Sequence, residues 1–191
     1  MPIVKSAFEY IPKATKHLGN DRPSNGQAKS PVDFRLAGGK TLSVKTNGSK
    51  SRKVCPSKIG QPSFKTFDTH FGNKGWYNPP IDQDKFKTLV FERVDQLIPE
   101  YLDHLFDCDY LLWVWKDKSG YKFNIIRKED IDGLKAILYN QSHYSFSRES
   151  PLHWNDSCSL RWGGKTIGEF QVHSSRRPPL KFRFNMDNLM N

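Results

Sequence analysis

By type and spacing, Asp33 and Lys45 are the residues of this chain best suited to do chemistry. They lie in Val32-Asp-Phe-Arg-Leu-Ala-Gly-Gly-Lys-Thr-Leu-Ser-Val-Lys-Thr-Asn47, which reads as two short alternating strands around a Gly-Gly turn. Phe34 and Leu36 share one face of the first strand, Asp33 and Arg35 the other. In the second strand Leu42 and Val44 are apolar, against polar Thr41, Ser43 and Lys45. Because side chains alternate with a period of two, register decides the faces. A two-residue Gly38-Gly39 loop would set Asp33 opposite Val44, with an apolar side chain on the polar face. An odd loop, Ala37-Gly38-Gly39 with glycine in the left-handed region, pairs Phe34 with Leu42 and Asp33 with Ser43. Lys45 is then a diagonal neighbour of Asp33 on the same face. A carboxylate and an ammonium so placed are what metal-assisted phosphodiester hydrolysis needs.

The two tripeptides Pro31-Val32-Asp33 and Ser43-Val44-Lys45 resemble the signature of the PD-(D/E)xK nuclease superfamily and, within it, of type II restriction endonucleases. One residue stands between Pro31 and Asp33, and Ser43 occupies the position where the pattern has Asp or Glu. Some restriction enzymes are similar in reading Ser-x-Lys, and supply the missing carboxylate from the following helix. Here no acid follows Lys45 until Asp68, and Gln61 stands near the start of the next predicted helix. Glu9, Gln61, Asp68 and Glu169 are the candidates for that second position. The resemblance implies an α/β (α+β) fold with a restriction-endonuclease-like core, a central mixed sheet flanked by helices. It implies Mg²⁺ held by Asp33 and the carbonyl of Val44, with Lys45 orienting the attacking water. Ser43 would position Lys45 or bond a metal-bound water, and Glu9 would approach from the side. The implied reaction is site-specific hydrolysis of double-stranded DNA to 5′-phosphate and 3′-hydroxyl ends. A palindromic target calls for a homodimer, and a restriction system leaves room for a cognate DNA methyltransferase.

Charge agrees with a polyanionic partner. The net charge is +10, and residues 1–66 hold 13 basic groups against Glu9, Asp21 and Asp33, while the rest of the chain is balanced. Lys45, Lys50, Arg52, Lys53 and Lys58 follow one another with no intervening acid, in a stretch rich in Gly, Ser, Asn and Pro. With Arg35, they are expected to settle on a phosphate backbone, with binding that falls steeply as salt is added. Nucleic acid fits this pattern better than an anionic membrane surface. The rival readings are a surface hairpin with an ordinary ion pair, a non-catalytic DNA- or RNA-binding module, and an HNH-type site from His143, His153 and Asn155.

The remaining elements have to carry this hairpin. A chain of 191 residues, 13% aromatic and 26% charged, is long enough for one globular domain with a real core. No apolar run approaches a membrane span, no signal peptide is visible, and three unpaired cysteines read as reduced thiols, so a cytoplasmic location is expected. A first helix is expected over 3–18, a short one at Phe64, Phe67 and Phe71 before Gly72, and a longer one from about Gln83 to Phe106, divided at Pro99. Residues 110–115 read as a central strand, and a turn then leads into a strand at 121–126. A helix at 129–139, a loop over 140–156 and a sheet segment from Leu160 to His173 complete the chain, around one central sheet.

The end of the chain carries a candidate reading surface. Phe170 and Val172 alternate with Glu169, Gln171 and His173, and Arg176 and Arg177 follow at once. Gln can bond adenine and Arg guanine in a bidentate manner, so residues 157–191 are expected to contain the strand that reads DNA. Glu169 could equally lean toward the hydrolytic site.

Overall fold

The computed structural model describes residues 10–18, 32–48, 51–138, 143–174 and 179–190. The chain forms two compact units, residues 1–52 with 106–134, and residues 53–105 with 135–191. Each unit has its own five-stranded sheet, where the sequence suggests a single central one. The fold is mixed α and β, as expected.

In the first unit the strands lie in the order β1 (Ala14–His17), β2 (Phe34–Leu36), β3 (Thr41–Asn47), β5 (Tyr110–Asp117) and β6 (Gly120–Arg127). Every pair is antiparallel except β3 with β5, so this sheet is mixed. Asp109 fixes the parallel register at its start. One carboxylate oxygen accepts from the Thr41 N–H and hydroxyl at 2.9 and 2.8 Å, and the other from Lys40 at 3.0 Å. One face of the sheet is apolar: Ile11, Leu36, Leu42 and Leu112 are buried there, with Phe34, Val44, Val114 and Phe123 packed against them.

The helix expected over 3–18 is a correction. Residues 3–9 lie outside the described residues, and Ala14–His17 is an edge strand on β2. Pro12 lacks an N–H and Thr15 is β-branched, which weakens a helix here. Pairing also satisfies the backbone, since Leu18 N–H reaches Asp33 O at 2.8 Å.

The second unit orders its antiparallel strands β4 (Lys53–Val54), β10 (Leu180–Asn185), β9 (Lys165–Val172), β8 (Ser157–Trp162) and β7 (Tyr144–Phe146). Gly163 and Gly164 turn β8 into β9 with φ of 54° and 83°, a conformation open to glycine. Gly168 borders the register slip between β8 and β9, and a Cβ there would sit 2.7 Å from the Phe182 ring. Helices α1 (Phe64–Phe71) and α2 (Gln83–Leu105) belong to this unit, and α3 (Asp132–Leu138) and α4 (Met186–Leu189) follow later in the chain. Ser63 caps α1 by accepting from Thr66 N–H at 3.1 Å. The non-helical residue in α2 is Arg93, not Pro99. Pro99, whose ring crowds the carbonyl four residues before it, lies within the helical stretch that follows Arg93. Phe86 and Tyr101 of α2, Phe170, Phe182 and Trp154 form an aromatic core, with Phe170 and Phe182 centroids 4.5 Å apart. No described helix is long and apolar enough to cross a membrane.

Candidate active site

The hairpin adopts the odd loop. Ala37–Gly39 is a 3-10 turn with Gly38 and Gly39 at φ 72° and 74°, and Phe34 pairs with Leu42 and Arg35 with Thr41. The expected pairing of Asp33 with Ser43 is not formed: Asp33 lies one residue before β2, and its N–H donates to Leu42 O at 2.9 Å. The carboxylate of Asp33 turns onto the strand beside it: Oδ2 accepts from Val44 N–H at 2.6 Å and lies 3.4 Å from the Ser43 hydroxyl. In a strand, a residue's N–H and C=O leave by the same edge. The Val44 carbonyl therefore faces the edge on which the Asp33 carboxylate sits.

Lys45 shares a face of β3 with Ser43, opposite to that of Leu42 and Val44. On β5, Leu111 pairs with Ser43 and Trp113 with Lys45. The thiol of Cys108 lies near the Ser43 backbone and the Lys45 ammonium. Burial pushes its pKa up to about 11, although a backbone hydrogen bond from Ser43 and the Lys45 ammonium both act in the opposite direction. Ser43 is itself buried and Lys45 and Asp33 are half-buried. The chemistry open to this arrangement is that of one oriented carboxylate, one carbonyl oxygen and one ammonium, suited to a hard divalent cation and a phosphate.

Over 159 residues, 83% of its length, the chain is 30% identical to the type II restriction enzyme CviAII of Paramecium bursaria Chlorella virus 1. It is a distant relative of a restriction enzyme. The matched stretch spans 43% of that enzyme, so the chain covers less than half of the relative's length. No protein-family model matches the sequence.

The candidates for a second acid are placed differently. Glu9 lies outside the described residues. Gln61, Asp68 and Glu169 belong to the second unit. Gln61 is exposed, with its amide 3.1 Å from Cys55 Sγ. Asp68 accepts from the Tyr77 hydroxyl at 2.8 Å and Ile81 N–H at 3.0 Å, which ties down the loop before α2. Glu169 binds Arg183 at 2.6 Å and Lys53 at 3.1 Å. Burial alone would raise its carboxyl, but the hydrogen bonds from Arg183 and Lys53 outweigh it and hold the pKa below the usual range. Among the described residues, no three His, Cys, Asp or Glu side chains gather as a metal site. His143 packs on Trp162 while His153 lies beside Ser150 and Glu149, so these residues do not form one HNH-type cluster.

The expected DNA contacts divide. Arg35 is exposed on β2, and Lys58 is exposed in a turn at φ 57°. Lys50, Arg176 and Arg177 lie outside the described residues. Arg52 stands over the Trp115 ring at 5.2 Å. Lys53 is a strand residue bonded to Glu169, so the basic stretch after Lys45 is not one continuous loop. The alternation on β9 is as expected: Phe170 and Val172 are buried, while Glu169, Gln171 and His173 are half-buried on the other face. Gln171 Nε2 reaches Glu169 Oε2 at 3.2 Å, and Gln171 is flanked by Ser157 on β8 and Lys181 on β10. Sequence reasoning missed β10. The alternation of Leu180, Phe182 and Phe184 with Lys181 and Arg183 was its signal.

Proposed function

We propose that this chain carries the catalytic centre of a Mg²⁺-dependent, sequence-specific endonuclease acting on double-stranded DNA. The observation that supports the reading is the grip of the Asp33 carboxylate on Val44 N–H and Ser43, next to Lys45 on β3. The distant relationship to a type II restriction enzyme supports it.

The residues present fit the ion. Mg²⁺ prefers oxygen and keeps several waters, so one or two carboxylates and substrate phosphates suffice. Among the described residues, both hydrogen bonds to the Asp33 carboxylate end on Oδ2, leaving Oδ1 to the ion together with the Val44 carbonyl. A bound Mg²⁺ supplies Lewis acidity at the phosphate and lowers the pKa of a coordinated water. Asp33 is held in place by Val44 N–H and Ser43. Lys45 donates to a non-bridging phosphate oxygen and orients the attacking water. As water adds to phosphorus, the bond to the 3′ oxygen breaks. The attacking water loses a proton and the 3′ oxygen gains one, leaving 5′-phosphate and 3′-hydroxyl ends. The restriction-endonuclease-like core is supported by the mixed sheet that carries the hairpin. The polar face of β9, with Gln171 and His173, is the proposed reading surface. On a palindromic site two copies would act with two-fold symmetry, in a system with a cognate methyltransferase.

Incubation of the protein with plasmid DNA and Mg²⁺ tests the reading. Discrete fragments that ligate without added kinase, and that disappear in EDTA, are expected. A shifted but intact plasmid would instead favour a non-catalytic binding module.

A further inference from the structure

We propose that the outer end of the β5–β6 hairpin is a second DNA-contacting surface, which grips the sugar–phosphate backbone of the duplex alongside the scissile bond. This rests on the nuclease reading of the Asp33 site but uses residues outside it.

The hairpin closes tightly. Asp117 pairs with Gly120, and the Asp117 carboxylate accepts from the Ser119 N–H and hydroxyl at 2.8 and 2.7 Å. That carboxylate is tied into the turn. The cations around it, Lys116, Lys118 and Lys122, are all exposed. Arg52 adds a fourth from the segment after β3. Aromatic rings are interleaved with these charges on both faces of the ribbon. On the face shared with Lys45, Trp113 and Trp115 stack at 4.1 Å, Arg52 lies over Trp115, and Trp115 pairs with Lys122. On the opposite face Tyr121 is 57% exposed, with the Lys116 ammonium 5.7 Å from its ring centre.

The platform is braced. Trp113 is buried, and its Nε1–H donates to Asn47 Oδ1 at 2.8 Å, which joins the end of β3 to β5. Position ties this surface to the site. Lys45 is in register with Trp113, so Trp115 lies about 7 Å farther along the sheet and the turn about 13 Å farther, at ~3.3 Å per residue. Trp115 is the last β5 residue paired with β3, so the turn end of the hairpin runs beyond that pairing. Compact ammonium groups on flexible stems suit phosphates as point charges and carry no base code. Packing alone gives no reason to gather three exposed lysines and an exposed tyrosine at the end of a hairpin.

The test uses the whole chain, with lysines 116, 118 and 122 all changed to alanine. Binding to duplexes with and without the target sequence is measured by anisotropy in EDTA, from 50 to 200 mM salt. The expected outcome is weakening by roughly 10- to 100-fold on both duplexes. The slope of log K against log salt should become shallower by about 2–3, since each lost phosphate contact removes ~0.9. An unchanged affinity and slope, or a loss confined to one sequence, would overturn the proposal. The nuclease reading fails separately: wild-type protein that binds both duplexes but never cuts with Mg²⁺ sinks it, while the comparison with the lysine variant still reads the ribbon.

Discussion

Asp33 holds up the hairpin and also supplies the proposed ligand, and two substitutions separate these roles. Asp33→Ala removes the acceptor 2.6 Å from Val44 N–H and the partner of the Ser43 hydroxyl. A hydrogen bond to a charged group contributes about 1.5–3 kcal/mol, and partial exposure of Asp33 reduces this to roughly 1–2 kcal/mol. Asp33→Asn keeps an oxygen that can accept from Val44 N–H, so its cost should stay below ~1 kcal/mol. Both variants lose the anionic oxygen. Cleavage should fall by roughly 10³-fold or more in each, which is about 4 kcal/mol of transition-state stabilisation. The assay is single-turnover nicking of supercoiled plasmid under saturating enzyme, paired with urea denaturation of the same preparations. Cutting by Asp33→Asn within a few-fold of wild type would refute the site. An Asp33→Ala protein as stable as wild type would refute the structural half.

Three further outcomes follow from the same geometry. Lys45→Ala should abolish cleavage while keeping most duplex affinity in EDTA, and Lys45→Arg should not restore turnover, because a planar fork does not replace a compact ammonium; plasmid cutting and anisotropy together check this. Glu169→Gln should cost about 1–3 kcal/mol at neutral pH in urea titrations, because Lys53 and Arg183 lose their counter-charge. The folded-state pKa of Glu169 is depressed, so its stabilisation is present above the unfolded value and lost as pH falls through the folded one. The gap between wild type and variant should therefore close in acid below about pH 4, and a gap independent of pH would refute this assignment. Gln171→Ala should relax sequence preference more than it weakens nonspecific binding; equal loss on all duplexes would make Gln171 a phosphate contact.

What was legible in the sequence was local. The hairpin register followed from two facts, the period of two and the handedness that two glycines permit, and both concern adjacent residues. Helix α1 was legible because three phenylalanines at helical spacing before Gly72 need no distant partner to declare themselves. The edge strand β1 was not, because Ile11 and Leu18 suit either backbone and only pairing with β2 decides between them. The same applies to β7 and β10, short segments whose partners lie elsewhere in the chain. The carboxylate that grips Val44 was half visible. Sequence set Asp33 beside β3, but its hold on Val44 depends on a backbone N–H that no side-chain pattern records.

Segregation of charge along the chain is a poor guide to its segregation in space, and this bears on how DNA would be held. Residues 1–66 carry a net charge of +10 by themselves. In the folded chain Lys40 meets Asp109, and Lys53 meets Glu169, so acids from the balanced part neutralise cations from the basic part. Counted by unit, the first holds 15 basic and 9 acidic residues, net +6, and the second 15 and 11, net +4. Both units therefore carry positive charge, and long-range steering of a polyanion does not single out the hairpin. Contact has to do so, through cations not drawn into structural pairs. By that criterion Lys53, which the sequence places in a phosphate-binding run, holds β4 and β9 together through Glu169. The lysines of the β5–β6 turn, unremarkable in sequence, are better situated to touch a phosphate.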